Sequence, residues 1–318
     1  MNFKKGLFLC AVIFFLTCCL IFSQDEKINP RSLTHYILAV TYDNLNQLDR
    51  AIQEYKKALS LDYNNSIIHL GLGCSYIKMD KIPQAIKELN LAVKFNPEAV
   101  EPHAILALVY LAEGKPELAT QEYEIALKNA SLLQPKNIEI YKNLGAVYLR
   151  QKKFKEAQDI YRLILELTPQ DAQIHLYMAV IYDELKDKDN VEKELKKAIE
   201  LNPDYHEAMN YLGYLYVEEN KNLEEAEIMI KKALELDPSN GAYIDSLGWL
   251  YFKQGRLEEA LEELEKASSL LEDPVIYDHL GEVYFKLGFL DKAKQAWQRS
   301  LELKPDQETV RLKLEKIK

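Results

Sequence analysis

The chain has little of what interrupts helices. Its 318 residues include only 11 glycines and 11 prolines, the two residue types that most often break regular elements. Alanine, leucine, glutamate and lysine are abundant instead, and these residues favour helix over strand. Because 48% of the residues are hydrophobic and 28% are charged, the composition is that of a globular chain, and long disordered stretches are not expected. The composition therefore predicts an all-α protein.

Cysteine is scarce after the N-terminus. Three of the four cysteines lie within the first 19 residues, and Cys74 is the only one that follows them. Once the leader is removed, the chain cannot form an internal disulfide. Its stability must come from packing.

The known sequence signatures of catalysis are missing as well. The sequence has no glycine-rich phosphate loop, no CxxC or HExxH motif and no Gly-x-Ser-x-Gly elbow. We expect no enzymatic activity, no cofactor and no metal site.

Positive charge is also in deficit, since 40 basic and 50 acidic residues give a net charge of −10 without a basic stripe. Such a chain repels phosphate backbones, so nucleic acid is not expected as a partner.

Residues 1–23 have the layout of a secretory signal. Two lysines precede an apolar run from Gly6 to Phe22, and a cleavage site could follow Ser23. The run is at the lower length limit for crossing a bilayer, so an uncleaved anchor is an alternative. Cys18 and Cys19 could carry a lipid, although neither follows the small residue that a lipoprotein signal usually places there. We predict export, to the periplasm or to a membrane anchor in the cell envelope, with membrane contact only through this segment.

The rest of the chain is organised around a pattern that is clearest in residues 141–169. An aromatic residue is followed by Leu-Gly, an aromatic, an alanine, another aromatic and a proline at fixed intervals: Tyr141, Leu144, Gly145, Tyr148, Ala157, Tyr161 and Pro169. This pattern resembles the tetratricopeptide repeat (TPR), a helix-turn-helix unit of about 34 residues.

The pattern recurs from residue 32 to residue 307. Eight units follow one another: 32–65, 66–99, 100–133, 138–171, 172–205, 206–240, 241–273 and 274–307. Position 8 of each unit is glycine or alanine, and position 11 is always tyrosine: Tyr42, Tyr76, Tyr110, Tyr148, Tyr182, Tyr216, Tyr251 and Tyr284. Small residues at position 8 let the two helices of a unit approach closely, while the tyrosines fill the space beside them.

The resemblance implies a right-handed superhelical solenoid of about eight TPR repeats. Residues 24–31 are read as a tether, and residues 308–318 as a capping helix that covers the last apolar face. Four additional residues, 134–137, can lengthen the second helix of the third unit by about one turn. Unit six has one extra residue in its inner turn, around 220–222.

Two patterns of polar residues have structural explanations. Four histidines occupy position 4 of their units: His35, His69, His103 and His175. Equivalent atoms of stacked repeats lie too far apart to share a metal ion, so we interpret these histidines as packing residues. A clamp for a C-terminal carboxylate, known from other TPR domains, is not expected, because Ala146, Glu207 and Tyr211 stand where it needs asparagine and basic residues.

The resemblance also predicts where a partner binds. First helices line the concave face of such a solenoid, and positions 2, 5, 9, 12 and 13 point into it. In units six to eight these positions hold an aromatic and acidic set: Tyr214, Val217, Trp249, Phe252 and Phe285 beside Glu218, Asp245, Asp278, Glu282, Lys253 and Lys286. A partner segment with apolar and basic residues suits this lining. Units two and three offer an aliphatic alternative: Ile67, Leu70, Cys74, Ile77, Leu108 and Leu111.

These features predict an exported, bacterial-type TPR protein without chemistry of its own. We expect a scaffold or assembly factor of the cell envelope that binds other proteins or peptides in its groove. Two alternatives stay open. One is an accessory subunit that recruits or regulates an envelope enzyme acting on glycans or peptidoglycan, and the other is a self-associating structural array.

Overall fold

The computed structural model describes residues 28–317, which form seventeen α-helices and no strands. The first helices of successive repeats are α1 (Pro30–Asn44), α3 (Ser66–Lys78), α5 (Val100–Ala112), α7 (Ile138–Arg150), α9 (Ala172–Glu184), α11 (His206–Glu218), α13 (Gly241–Lys253) and α15 (Pro274–Lys286). The second helices are α2 (Leu48–Leu61), α4 (Ile82–Phe95), α6 (Pro116–Leu133), α8 (Phe154–Leu167), α10 (Lys188–Leu201), α12 (Leu223–Leu236), α14 (Leu257–Leu270) and α16 (Leu290–Leu303). The last helix is α17 (Glu308–Glu315). The prediction of an all-α chain of paired helices is confirmed; the predicted leader lies outside the described residues.

Helix starts follow the repeat register. From α3 onward, every first helix begins at the first residue of its predicted unit, whereas α1 begins at Pro30, within the stretch read as a tether. Asparagine or aspartate caps several of these helices, as when Asn65 Oδ1 accepts the Ile68 N–H at 3.2 Å and Asp273 Oδ1 accepts the Val275 N–H at 2.8 Å. Such caps satisfy amide groups that have no partner within the helix.

The inner turn of each repeat uses one left-handed residue. It lies two positions after the end of the first helix in every repeat: Asn46, Asp80, Gly114, Lys152, Lys186, Asn220, Gly255 and Gly288. Repeat six contains a second left-handed residue, Asn222, at φ 49°. The extra residue of that repeat is therefore accommodated in its turn.

Close contact within several pairs depends on a glycine at position 8. A Cβ atom added to Gly73 or Gly248 would lie 3.0 or 2.7 Å from the leucine at position 24 of the same repeat. At Gly281 it would lie 2.4 Å from Trp297 Nε1. The backbone of the first helix thus rests directly on a large side chain of the second.

The chain divides into two compact units, of which the first ends at Ile160 and the second begins at Tyr161, within α8. Within each unit, the second helix of a repeat packs both on its own first helix and on the first helix of the next repeat. The first unit has a continuous core that includes Ile68, Leu72 and Leu89. The largest core cluster of the second unit includes Leu212 and Leu264. No repeat buries its apolar face alone, as expected of a solenoid.

A tyrosine and a carboxylate join neighbouring repeats at three interfaces. At each one, a glutamate lies 24 residues before the position-11 tyrosine. Two basic side chains pair with this glutamate and lie over the tyrosine ring. The three sets are Lys128 and Lys153 with Glu124 at Tyr148, Lys196 and Lys221 with Glu192 at Tyr216, and Lys231 and Arg256 with Glu227 at Tyr251. Hydrogen bonds from Lys196 and Lys221 lower the pKa of Glu192 to about 2.

The four additional residues of the third repeat lengthen its second helix. α6 has 18 residues, whereas the other second helices have 14. Glu124 nevertheless lies 24 residues before Tyr148 in the sequence, just as Glu192 lies 24 residues before Tyr216. The extra helical turn therefore leaves the contact with the following repeat unchanged.

The helix α17 packs on α16 as the first helix of a further repeat would. Its Val310 is fully buried, and Arg311 Nη2 donates to the Pro305 carbonyl at 2.5 Å. Glu315 stands at position 8, where all eight repeats have glycine or alanine. A glutamate there is larger than the residues that allow a second helix to approach closely. Among residues 28–317, no helix combines the length and apolar character needed to cross a bilayer.

Candidate protein-binding groove

The predicted binding residues lie on α11, α13 and α15, which are neighbours in the second unit. α11 contacts α13, and α13 contacts α15, so their like positions form adjacent rows. Residues four apart on a helix share a face, which places Asp245 beside Trp249 and Asp278 beside Glu282. The structure thus brings the predicted residues together, but it exposes only some of them.

Trp249 forms the floor of this surface. Only 8% of the residue is exposed, and its Nε1 donates to Glu218 Oε1 at 2.6 Å. Its ring stacks on Phe252 at a centroid distance of 4.7 Å and on His279 at 3.9 Å. Three of its sides are therefore occupied by the chain itself, and the tryptophan supports the surface from below.

A buried histidine–aspartate pair lies next to Trp249. His279 Nδ1 is 2.9 and 3.2 Å from the two carboxylate oxygens of Asp245, and both residues are only 5% exposed. Val217 is fully buried. Asp245 and Val217 therefore contribute shape and charge to the groove with very little accessible area.

The accessible aromatics are Tyr214, Phe252 and Phe285. Tyr214 and Phe252 are half-buried, while Phe285 is 39% exposed. Their spacing across three neighbouring helices gives an interrupted apolar surface that a partner could contact. Phe285 has the largest exposed fraction of these three aromatics.

A pocket of about 300 Å³ opens beside Tyr214. It lies between α11, α13 and the residues that lead into α15: Asn210, Tyr211, Tyr214, Ala242, Asp245, Ser246, Leu271, Asp273, Val275 and Ile276. Asn210 Oδ1 is buried and has no hydrogen-bond partner within residues 28–317. Buried polar atoms are nearly always paired, so an unpaired oxygen beside the pocket is unusual.

The surroundings of the pocket are acidic. Burial raises the pKa of the Tyr214 hydroxyl, and the nearby carboxylates of Glu218, Asp245, Asp278 and Asp273 raise it further. Lys313 of α17 pairs with Asp278 at 2.7 Å and with Glu282 at 2.8 Å. Helix α17 therefore brings one positive charge to two of the predicted acidic residues at the C-terminal end of the surface.

Sequence reasoning missed three residues that shape this site. Asn210 occupies position 5, which was among the groove positions, but it is neither aromatic nor charged. His279 lies at position 6, outside those positions, and Lys313 lies in α17, after the last repeat. Of these three residues, only Asn210 stands at a position that the repeat register assigns to the groove.

The aliphatic alternative in repeats two and three is partly buried. Cys74 and Ile77 are buried, Ile67, Leu70 and Leu108 are half-buried, and Leu111 is exposed. None of the residues that compose this lining is acidic. Leu111, at 62% exposure, is the accessible residue of this lining.

The position-4 histidines join the two helices of their repeats. Each Nδ1 lies 2.6 or 2.7 Å from a glutamate 19 residues later: His35 with Glu54, His69 with Glu88, His103 with Glu122 and His175 with Glu194. In three of them Nε2 also lies near a backbone carbonyl six residues earlier, as does the Tyr141 hydroxyl. Among residues 28–317, no group of three or more His, Cys, Asp or Glu residues could hold a metal ion.

Comparison with known families agrees with this architecture. Residues 100–317 match the model described as the cilia and flagella-associated protein 70 C-terminal domain, a TPR family, and residues 41–80 match the TPR repeat model. The first match spans more than half of the chain. The chain belongs to this tetratricopeptide repeat family.

Curated relatives of this TPR protein take part in assemblies, according to their names. The type IV pilus assembly protein PilF of Pseudomonas aeruginosa is 29% identical over 116 residues, which are 35% of this chain and 43% of PilF. The BBSome complex member BBS4 of Mus musculus is 34% identical over 105 residues, which are 33% of this chain and 19% of BBS4. The TPR chain thus spans less than half the length of either relative.

Solved structures show the same fold. A tetratricopeptide repeat protein from Parabacteroides merdae aligns with a TM-score of 0.58 and 18% identity, covering 79% of this chain and 98% of its own. The type IV pilus biogenesis factor PilW aligns with a TM-score of 0.54 and 18% identity, covering 68% and 98%. The Cut9–Hcn1 complex aligns with a TM-score of 0.59 and 16% identity, covering 90% and 54%. At these identities the likeness concerns the fold alone.

Proposed function

We propose that this TPR protein is a non-enzymatic scaffold or assembly factor that holds a segment of another protein against α11, α13 and α15. The observation that carries the proposal is the pocket beside Tyr214, with the partly exposed Phe252 and the more exposed Phe285 nearby. Aromatic side chains that are already held in place contact a partner at little cost in side-chain entropy.

The chemistry of the surface supports a partner segment with apolar and basic residues. Tyr214 and Phe285 offer apolar area, whereas Glu218, Asp245 and Asp273 supply negative charge. Complementary charge chiefly increases the rate and specificity of association, and apolar contact supplies most of the affinity.

We further propose that the scaffold acts in the cell envelope. The signal-like composition of residues 1–23 supports export, and the relative PilF is named a pilus assembly protein. Fractionation of cells that express the full chain tests this placement. A protein recovered only in the cytosolic fraction would contradict it.

The groove is tested by photo-crosslinking in cells that express the full chain. Because Trp249 is buried, the photoreactive residue belongs at Phe285, and Ile228 on the second helix α12 serves as an exposed control at 70% exposure. We expect a protein adduct from position 285 that is absent from position 228. Identical adducts at both positions, or none at 285, would refute the groove.

The identity of the adduct separates the remaining alternatives. A hydrolase or transferase acting on glycans would indicate an accessory subunit, and a second copy of the chain would indicate a self-associating array. A structural component of an envelope assembly would support the scaffold itself.

A further inference from the structure

The pocket beside Tyr214 offers hydrogen-bond acceptors without a positive charge of its own. Two acidic residues, Asp245 and Asp273, line it together with Asn210, Tyr211 and Tyr214. The Tyr211 hydroxyl donates to Asp183 at 2.9 Å. None of the described residues that line it is basic. An acceptor-rich cavity of this kind favours a donor with positive charge.

One acceptor in this cavity is unused. Asn210 Oδ1 is buried without a hydrogen-bond partner in the described part of the chain. Buried oxygens are rarely left unpaired, but this atom is closed to solvent, so a donor in the pocket reaches it only if the Asn210 side chain turns. This observation is independent of the charge of the neighbouring carboxylates.

The carboxylates around the pocket differ in their partners. Asp245 pairs with His279, and Asp278 pairs with Lys313. Asp273 accepts the Val275 N–H as the cap of α15, but no basic side chain of residues 28–317 pairs with it. A negative charge therefore remains at the edge of the pocket.

We propose that this pocket binds the cationic side chain of a lysine or arginine in an extended segment of a partner protein. The proposal rests on the groove function given above and names the chemistry of one subsite. Leu271 and Val275, which also line the pocket, are 39% and 43% exposed and can contact the aliphatic stem of such a side chain. Asp273 and the Tyr214 hydroxyl are the acceptors for its charged end.

The probe is a set of nine-residue peptide pools with a fixed central residue and degenerate flanking positions. Pools with central lysine, arginine, glutamine or norleucine are immobilised, and binding of the fluorescently labelled full chain is measured at low and high salt. We expect the lysine and arginine pools to bind about two- to five-fold better than the glutamine pool, as for one partly hydrated ion pair. The preference should decline as salt increases.

Two variants test whether the preference for basic residues arises in the pocket. Asp273→Asn removes a charge while keeping a side chain that can cap α15, and Asn210→Lys places a cation in the pocket itself. Asp187→Asn is the matched control, because Asp187 caps α10 and lies outside the pocket. Thermal melting of each variant shows that it folds.

The proposal predicts that Asp273→Asn and Asn210→Lys lose the preference for basic pools, whereas Asp187→Asn keeps it. Equal binding of the lysine and glutamine pools to the unmodified chain would overturn it, and so would an equal loss in Asp273→Asn and Asp187→Asn. If the preference is absent but Phe285 still crosslinks a partner, the groove function stands and only the cationic subsite fails. If neither is observed, both fail.

Discussion

Single residues decide how closely the helices of a repeat approach. Gly281 shows this most sharply, because a Cβ atom there would meet the rigid indole of Trp297 at 2.4 Å. A flexible leucine could move aside, whereas the buried tryptophan is held by a hydrogen bond from Nε1 to the Asp278 carbonyl at 3.2 Å. One methyl group at this position is therefore expected to displace a helix.

We predict that Gly281→Ala destabilises the protein by about 1–3 kcal/mol through overpacking. Thermal or urea unfolding measures the loss. The control is Gly281→Ala combined with Trp297→Leu, which makes room for the methyl group. If the double variant loses as much stability as the two single variants together, the contact with Trp297 is not the cause of the destabilisation.

In the inner turns, a substitution by glycine is expected to stabilise the protein. Lys186 adopts φ 62°, a left-handed conformation that costs a residue with a side chain about 1 kcal/mol more than glycine. Lys186→Gly is therefore predicted to raise the free energy of unfolding by roughly that amount. The reverse substitution, Gly255→Ala at the equivalent turn with φ 79°, should lower it. Urea unfolding of both variants checks the pair, and changes of the same sign would contradict the explanation.

At the scale of helices, the histidine–glutamate pairs tie the two members of a repeat together. His175 has an acceptor at each ring nitrogen, since Glu194 lies 2.6 Å from Nδ1 and the Pro169 carbonyl lies 3.4 Å from Nε2. A neutral imidazole can donate only one hydrogen bond, so the charged form satisfies both acceptors. The hydrogen bond to Glu194 accordingly raises the pKa of His175, although burial opposes the shift.

This shift predicts how stability depends on pH. Because the folded pKa of His175 lies above its unfolded value, the pair contributes fully below about pH 6.5 and loses its contribution as the pH rises through the folded pKa. We expect Glu194→Gln to be less stable than the unmodified chain at pH 6, by about 0.5 kcal/mol for a partly hydrated pair, and nearly equal to it at pH 9. Urea unfolding at both values measures the difference. A gap that widens toward pH 9 would disprove this role.

At the scale of the whole molecule, stability is expected to be nearly a sum over neighbouring repeats. Removal of residues 308–318 takes away the buried Val310 and the pairing of Lys313 with Asp278. We predict faster hydrogen exchange in α15 and α16 and unchanged exchange in α1 to α5. Leu312→Ala, at a half-exposed position of the same helix, is the control and should leave exchange in α15 and α16 close to that of the full chain. Uniformly faster exchange along the chain would contradict the nearest-neighbour description.

The amino-acid sequence by itself determined the helix pairs, their starts from Ser66 onward, and the glycine contacts at position 8. These features are local or repeat at a fixed period, so they are visible without the fold. The left-handed turn residues were less evident, because glycine occupies only three of the eight positions that lie two residues after a first helix.

Tertiary structure decided which groove residues are accessible. Trp249 and Phe285 occupy positions of the same predicted face, yet Trp249 is buried because His279 from the next helix stacks on it at 3.9 Å. The unpaired oxygen of Asn210 and the pairing of Asp278 with Lys313 likewise depend on side chains from other helices. A repeat pattern specifies the position of each side chain on its own helix, but exposure and charge in the groove depend on the non-repeating residues that neighbouring helices bring against it.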